Sequence, residues 1–429
     1  MSKIAAKELQ VNDFVSFTSN AIPGYTSGIT LSGMIKKVMD YNIRGTVYKF
    51  CEIFTETGVR TAYLDYTLEV TKLIMEDSER ELAIVKNQMR NLPRVVDQQG
   101  SDPEIFIVDK DNAVIPSFLF LKSNKDPNII PETRQPLFWD GFQAEFNLPA
   151  HGCLDASVSS TWYGLKHLDM LAKIHDKDAR LTIIPTMDIP PHMLRDNKEE
   201  HVQFGCMPSK NVYDMAGKKE DGRDVQFRSA GGHIHLQLNS TQKERIPEYV
   251  KALDAILGVA CVSMFGQFDD ARRREYYGLA GEYRTPKHGM EYRVLSNVWM
   301  AHPTSMYIVY ELARKIISLV DNNLFKYWQA DEKITIECIN ECNIPLACEL
   351  IKINEGMFKD ILHGMCYHRE DFIDVVYKTF MLGLESLIPN VDDVYGNWKL
   401  NVPSPTTGLY RIAELENKKE YKQLIEIKF

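Results

Sequence analysis

The sequence predicts an α+β fold in two parts, and three observations carry that reading. Short β-rich runs separated by Gly, Asn, Pro and Thr fill residues 10 to about 72, a helix signature follows, and thereafter strands alternate with helical segments. The first runs, "DFVSF", "GMIKKVMDY", "TVYKFCEIF" and "RTAYLDYTLEVTKL", are spaced for a small antiparallel, SH3-like β-barrel over residues 1–75. "SERELAIVKNQMRNL" places Glu81 three positions after Ser78, a capping box, and predicts a linker helix within 76–97. The second domain spans 98–400. In it "STWYGLKHLDMLAKIH" has helical spacing at Trp162, Leu165, Leu168 and Leu171, and "RIPEYVKALDAILGVACVSMF" has it at Ile246, Val250, Leu253 and Leu257. From Pro303 to about Leu387 the pattern is mostly helical, and 401–429 forms a C-terminal segment.

Composition narrows the function classes. With 44% hydrophobic and 25% charged residues the chain reads as an ordinary globular protein, and a net charge of −9 argues against general nucleic-acid binding, which needs a basic surface. No apolar run approaches a membrane span, and "MSKIAAKELQVND" lacks the apolar centre of a signal peptide, so a cytoplasmic location is expected. The 8 cysteines form no framework of close pairs. Cys338, Cys342 and Cys348, with His363, Cys366 and His368 downstream, lack a paired CxxC knuckle and lie among apolar residues, so they read as small buried hydrophobes rather than zinc ligands.

The chemistry sits on strands. In "SAGGHIHLQLN" side chains alternate, so His233, His235, Gln237 and Asn239 share one face while Ile234, Leu236 and Leu238 share the other. In "GSDPEIFIVD", Asp102 and Glu104 face the same way; in "DGFQAEFNL", Glu145 and Asn147 do; in "GMEYRVLSN", Glu291 and Arg293 do. Polar sets on apolar strands are costly to bury unless partnered, and metal ions supply partners. Carboxylates with one or two imidazoles suit Mg²⁺ or Mn²⁺, hard ions that prefer oxygen. "DDARRREYYGLAGEYRTPKHGMEYR" adds Arg272, Arg273, Arg274, Arg284, Lys287 and Arg293. Guanidiniums clamp phosphate and carboxylate oxygens, so metal ligands facing arginines read as a phosphoryl-transfer site. The triple arginine also reads as a solvated helix end, whereas Arg284 and Arg293, beside Tyr283 and Glu291, read as functional.

The set "DPEIF", "DGFQAEFN", "FGCMPS", "GGHIH" and "YGLAGEYRTPKHGMEYRVLSN" resembles the phage-type COOH·NH2 ligases, the type-2 amidoligases, in the superfamily of glutamine synthetase and glutamate–cysteine ligase. The resemblance covers about residues 98 to 305. It implies a glutamine-synthetase-like antiparallel sheet flanked by helices that binds ATP with divalent ions in a concave face, phosphorylates a carboxylate and lets an amine displace the phosphate. It implies metal roles for Glu104, Glu145, His233 and Glu291, and an ATP-phosphate role for His235; Arg274, Gly231 and Gly232 are further candidates for the cofactor side, read from the residues themselves. Arg284 and Arg293 would hold transferred phosphate or substrate carboxylate. Gly231 and Gly232 let the backbone approach closely because neither has a Cβ. Asp102 stands where glutamine synthetase has a second Glu, which leaves the number of ions open. Asp102 or Asp140 is a candidate for the base that deprotonates the amine, with a supporting role as the alternative.

The Pro-, Gly- and charge-rich stretch from Met187 to Asp224 is expected to be a long loop covering the site, with Cys206 in it a structural thiol rather than a nucleophile. The expected partners are small-molecule or peptide carboxylate and amine substrates, and the N-terminal domain is a candidate protein-interaction module. Two other readings stand beside the ligase: a metal-dependent hydrolase, and a non-catalytic protein retaining the fold. Neither GxxxxGK[ST] nor GxGxxG occurs, so P-loop and dinucleotide enzymes have no support.

Overall fold

A computed structural model describes residues 2–19, 29–43, 45–55, 58–73, 77–203, 209–363, 377, 380–381 and 393–401. The chain forms two compact units, Met1–Leu92 with Lys359–Ile373, and Pro93–Phe358 with Asp374–Phe429. The fold is α+β, built on antiparallel sheets with helices beside them.

In the first unit, β1 (Ser2–Ala5), β2 (Phe14–Ser19), β3 (Ile29–Ile43), β4 (Thr46–Thr55), β5 (Gly58–Asp65) and β6 (Glu69–Lys72) form a 6-stranded sheet in the order β1-β6-β2-β3-β4-β5. Alternate residues turn to one side, so that Val15, Phe17, Ile35, Ile53, Leu64 and Val70 are buried together. A register shift between Ile35 and Lys37 bends β3. Strand β1 is four residues long and pairs only with β6, so the sheet stays open and no barrel closes among the described residues. The helix expected at Ser78 runs over Asp77–Arg90 and belongs to this unit, where Arg90 Nε donates to Asp360 Oδ1.

The second unit places the candidate site. Its strands are β7 (Gln99–Val108), β8 (Asn128–Ile129), β9 (Pro136–Asp140), β10 (Gln143–Phe146), β11 (Leu148–His151), β12 (Arg180–Thr182), β13 (Thr186–Asp188), β14 (Lys210–Asn211), β15 (Phe227–Ser229), β16 (Gly232–Gln237), β17 (Glu282–Arg284) and β18 (Gly289–Tyr292). The main sheet runs β14-β17-β18-β16-β7-β10-β9-β8, with β11 and β12 also on β7, and β13 pairs β15 apart from it. One face of the sheet is apolar: Ile105, Ala144, Ile234, Leu236, Met290 and Tyr292 are fully buried. Helices cover that face. Tyr310, in the helix Pro303–Asp321, donates to Ser101 Oγ at 2.7 Å, and Tyr292 donates to Asp254 Oδ1 at 2.6 Å. Asp254 opens a π-helical turn, Asp254–Gly258, inside an otherwise α-helical rod from Ile246 to Phe265. In that rod Ile246, Val250, Leu253 and Leu257 are buried, as their spacing predicts, and Leu165 and Leu168 are buried in the helix Leu154–His175.

The stretch expected as a long loop carries short helices, Pro191–Asp196 and Glu199–Val202, and β14. Cys206, and Cys366 and His368 further on, lie outside the described residues. Cys338 is fully buried, and burial pushes its thiol up to about 12, as suits a small hydrophobe. The C-terminal region is helical over Glu332–Asn340, Ile344–Ile353 and Glu355–His363. No described helix is long and apolar enough to cross a membrane.

Gly232 opens β16 where there is no room for a side chain. A Cβ there would lie 2.3 Å from Trp299 Nε1 and 2.5 Å from the Ser296 carbonyl oxygen, and Trp299 Nε1 itself donates to the Gly232 carbonyl at 2.9 Å. Gly232→Ala is therefore expected to destabilise the protein by about 1–3 kcal/mol, read as a lower urea midpoint with an unchanged slope. An unchanged midpoint would mean that the Trp299 ring yields without cost.

Candidate functional site

Register assembles the polar face. Asp102 of β7 stands opposite His233 of β16, His235 opposite Glu291 of β18, and Glu291 opposite Arg284 of β17. On the other side of β7, Glu104 stands directly opposite Glu145 of β10, and Gln143 of β10 opposite Asp140 of β9. The alternation predicted for each strand thus converges on one surface.

The side chains fall into two groups. In the first, His233 Nδ1 lies 3.2 Å from Asp102 Oδ1 and 3.3 Å from Glu291 Oε1, and His235 Nε2 lies 3.2 Å from the same Asp102 oxygen. Glu291 accepts from Arg284 Nε at 2.8 Å, Arg284 Nη2 at 2.5 Å and Arg293 Nη1 at 2.6 Å. Burial opposes ionisation of Asp102, but the two imidazoles outweigh it and hold the carboxyl well below its usual range. Burial likewise opposes the charge on Glu291, and His233, Arg284 and Arg293 overcome it, again lowering the value. His233 is driven down by burial, whereas Asp102 carries His235 above its ordinary value against burial.

The second group holds carboxylates with little to neutralise them. Ligand oxygens of Glu104, Asp140 and Glu145 lie within 4.8 Å of one another. Like charges opposed across adjacent strands destabilise a sheet. Burial, reinforced by Asp140 and Asp102, pushes Glu104 up to about 8; Asp140 and Glu145 are raised by burial and by their acidic neighbours. Among the described residues Glu104 Oε2 accepts from two neutral donors, the Gly231 N–H at 2.6 Å and Gln143 Nε2 at 3.4 Å. The set suits a hard divalent cation, which would supply the missing positive charge. Asp102, His235 and Glu291 form a second group with ligand atoms within the same distance of one another.

Each predicted residue has a place. Asp102, Glu104, Glu145, His233, His235, Glu291, Arg284 and Arg293 come together on the polar face. Gly231 serves Glu104 through its backbone, and Gly232 packs on Trp299. Arg274 is not brought to this face: its guanidinium donates to the carbonyls of Gly278 and Val294 and lies 3.2 Å from Asp269. Arg273 is also buried, while Arg272 is half exposed and paired with Asp270 and Asp188. Sequence reading passed over Gln143, although it lies two residues before Glu145 on a strand and so shares its face. It also passed over His288, whose Nε2 lies 3.2 Å from His235 Nδ1.

Two cavities open on the polar face. One, of about 460 Å³, is lined by Glu104, Asp140, Gln143, Ser229, Tyr277 and Glu282 among others. The other, of about 360 Å³, is lined by Gly100, Asp102, His235, Gln237 and His288 among others. Both are of a size that accommodates a small ligand.

A sheet with two acidic groups and arginines on one face, each group opening into a cavity, defines a candidate cation- and anion-binding enzyme site. Residues 183–335 match the family model described as phage phiEco32-like COOH·NH2 ligase, type 2, so the resemblance to that carbon–nitrogen ligase family is shown over this segment, which includes "GGHIH" and the Arg284 to Arg293 motif. No curated protein matches the sequence. Among solved structures, a bifunctional glutathione synthetase from Pasteurella multocida is similar at 11% identity and a TM-score of 0.38, over 81% of this chain and 54% of that one. The chain thus spans about half the length of that enzyme. The complex between prokaryotic ubiquitin-like protein Pup and its ligase PafA is similar at 11% identity and a TM-score of 0.43, over 79% of this chain and 73% of that one.

Proposed function

We propose that this protein is an ATP-dependent carboxylate–amine ligase that forms an amide through an acyl phosphate. The observation that carries the reading is Glu104 opposed in register to Glu145 beside Asp140, on the same face as Glu291, Arg284 and Arg293. Such a surface matches a substrate carrying divalent cations and phosphate oxygens together.

A carboxylate does not condense with an amine in neutral water because oxide is a poor leaving group. In the proposed reaction a substrate carboxylate oxygen attacks the γ-phosphorus of ATP, the bond to the ADP oxygen breaks, and an acyl phosphate forms. The amine nitrogen then attacks the carbonyl carbon, the carbon–oxygen bond to phosphate breaks, and a proton leaves the nitrogen. Divalent ions held by Glu104, Asp140 and Glu145, and by Glu291 with His233 or His235, would neutralise the phosphate charge. Arg284 and Arg293 present guanidiniums to the transferred group. Asp102, kept ionised between two imidazoles, is a poor proton acceptor, so its role is to orient His233 and His235. The substrates are a small molecule or peptide carboxylate and an amine, and the setting is cytoplasmic.

Hydroxylamine tests this reading because it intercepts an acyl phosphate. With ATP, Mg²⁺ and a panel of carboxylates, hydroxamate and ADP should form together, and Mg²⁺ with an ATP analogue should raise the melting temperature. Turnover of an amide without nucleotide consumption would favour a metal-dependent hydrolase instead. Neither turnover nor a nucleotide-dependent melting shift would leave a non-catalytic binding protein.

A further inference from the structure

We infer that Tyr277 is a further catalytic residue, its hydroxyl donating a hydrogen bond to an oxygen of the phosphoryl group in transfer; this rests on the ligase reading above. The Tyr277 ring is firmly held. Its centroid lies 5.1 Å from the Arg293 guanidinium and 5.7 Å from that of Arg273, and it meets the His233 ring edge-on at 5.4 Å. Yet the hydroxyl is buried with no hydrogen-bond partner among the described residues. A buried polar group without a protein partner takes its hydrogen bond from ordered water or from a ligand, and a hydroxyl that lines a cavity beside candidate metal-holding carboxylates is placed for a ligand.

The surroundings say what that ligand is. Tyr277 lines the larger cavity together with Glu104 and Asp140, so whatever enters meets the carboxylates that would hold a divalent ion. Arg293 gives Nη1 to Glu291 and Arg273 gives Nη2 to the Val294 carbonyl, and the positive charge of both beside the ring favours an anionic acceptor in this corner. Cations over the ring also withdraw electron density from it and make the hydroxyl a better donor. A phosphoryl oxygen on an ion at Glu104 satisfies all three conditions. Gly231 keeps the approach open, because a Cβ there would lie 2.5 Å from the Tyr277 hydroxyl and 2.7 Å from His233 Nε2.

Tyr277→Phe removes the hydroxyl and nothing else. If the hydroxyl waits for a ligand, the variant melts at the wild-type temperature or above it, because an unsatisfied buried donor has been deleted. The measurement is calorimetric affinity of the full chain for Mg²⁺·ADP, alone and with aluminium fluoride, a mimic of the phosphoryl group in transit. The expected result is a loss of about tenfold or more in affinity for the fluoride complex, as for one charge-assisted hydrogen bond, with ADP alone bound as before. Equal affinities for the fluoride complex, or a lowered melting temperature with both ligands weakened, would overturn the role of Tyr277 while leaving the ligase reading intact. Failure of the wild-type protein to bind either ligand would overturn both.

Discussion

Glu104→Gln is expected to weaken the divalent-ion dependence of this protein and, without metal, to make it more stable than the wild type at neutral and alkaline pH. The carboxylate is buried, and its value in the fold, about 8, lies above the ordinary 4.5. A group raised on folding contributes stability that is fully present below its unfolded value and is lost as pH rises through its folded value. The window is therefore 4.5 to about 8. Gln keeps the shape and can still accept from the Gly231 N–H, but it does not ionise. Across that window the metal-free wild type should lose melting temperature relative to the variant, and Mg²⁺ should raise the wild type by more than the variant, which keeps Asp140, Glu145 and the Glu291 group. Asp140 and Glu145 are raised as well, so the variant retains part of the slope. Asp102 and Glu291, lowered on folding, act in the opposite sense: their contribution is present above their unfolded values and disappears only in acid. Hydroxamate formation in the variant should fall by at least about 10²-fold, since even residues that only support metal ligands cost up to that much. An Mg²⁺-induced melting shift of the same size in both proteins would remove Glu104 from the metal site.

The alternation of strands made most of this face legible. "DPE", "HIH" and "EYR" each fix a polar side and an apolar side by period two alone, and Asp102, Glu104, His233, His235, Glu291 and Arg293 follow from it. Register did not follow. That Glu104 faces Glu145, or that Asp102 serves two imidazoles at once, depends on strands far apart in the chain that become neighbours only in the sheet. Arg274 shows the limit of reading charge runs. In the short 3-10 turn Ala271–Glu275, successive arginines point in different directions, so Arg272 pairs with surface carboxylates while Arg273 and Arg274 are buried. Composition cannot separate them. Tyr277 was illegible for a related reason, since an aromatic in a loop declares nothing until its hydroxyl is seen without a partner. In the N-terminal unit the strand runs were readable from Gly and Asn punctuation, but whether a sheet closes depends on how its end strands pair, and β1 is too short to show that in its own sequence.

Arg293→Lys should depress hydroxamate formation by roughly 10²–10³-fold while changing the affinity for ATP far less, as expected for a group that acts on charge developing in the transition state. Arg293 is fully buried, gives Nη1 to Glu291 at 2.6 Å, and lies over the Tyr277 ring. Lysine keeps the positive charge but loses the planar fork, so one contact made by the guanidinium is vacated whichever way the ammonium turns. Arg284 provides the comparison. It also binds Glu291, through two nitrogens, but its side chain is 29% exposed, and water can replace part of what it provides. Arg284→Lys should therefore cost less turnover than Arg293→Lys and little stability, whereas Arg293→Lys should also lower the melting temperature because a buried carboxylate loses an ideal partner. Steady-state measurements of kcat and KM for both variants decide the matter. Equal losses at the two positions would mean that the arginines act only by holding Glu291, and a loss confined to KM for ATP would place Arg293 in ground-state binding rather than in the transfer step.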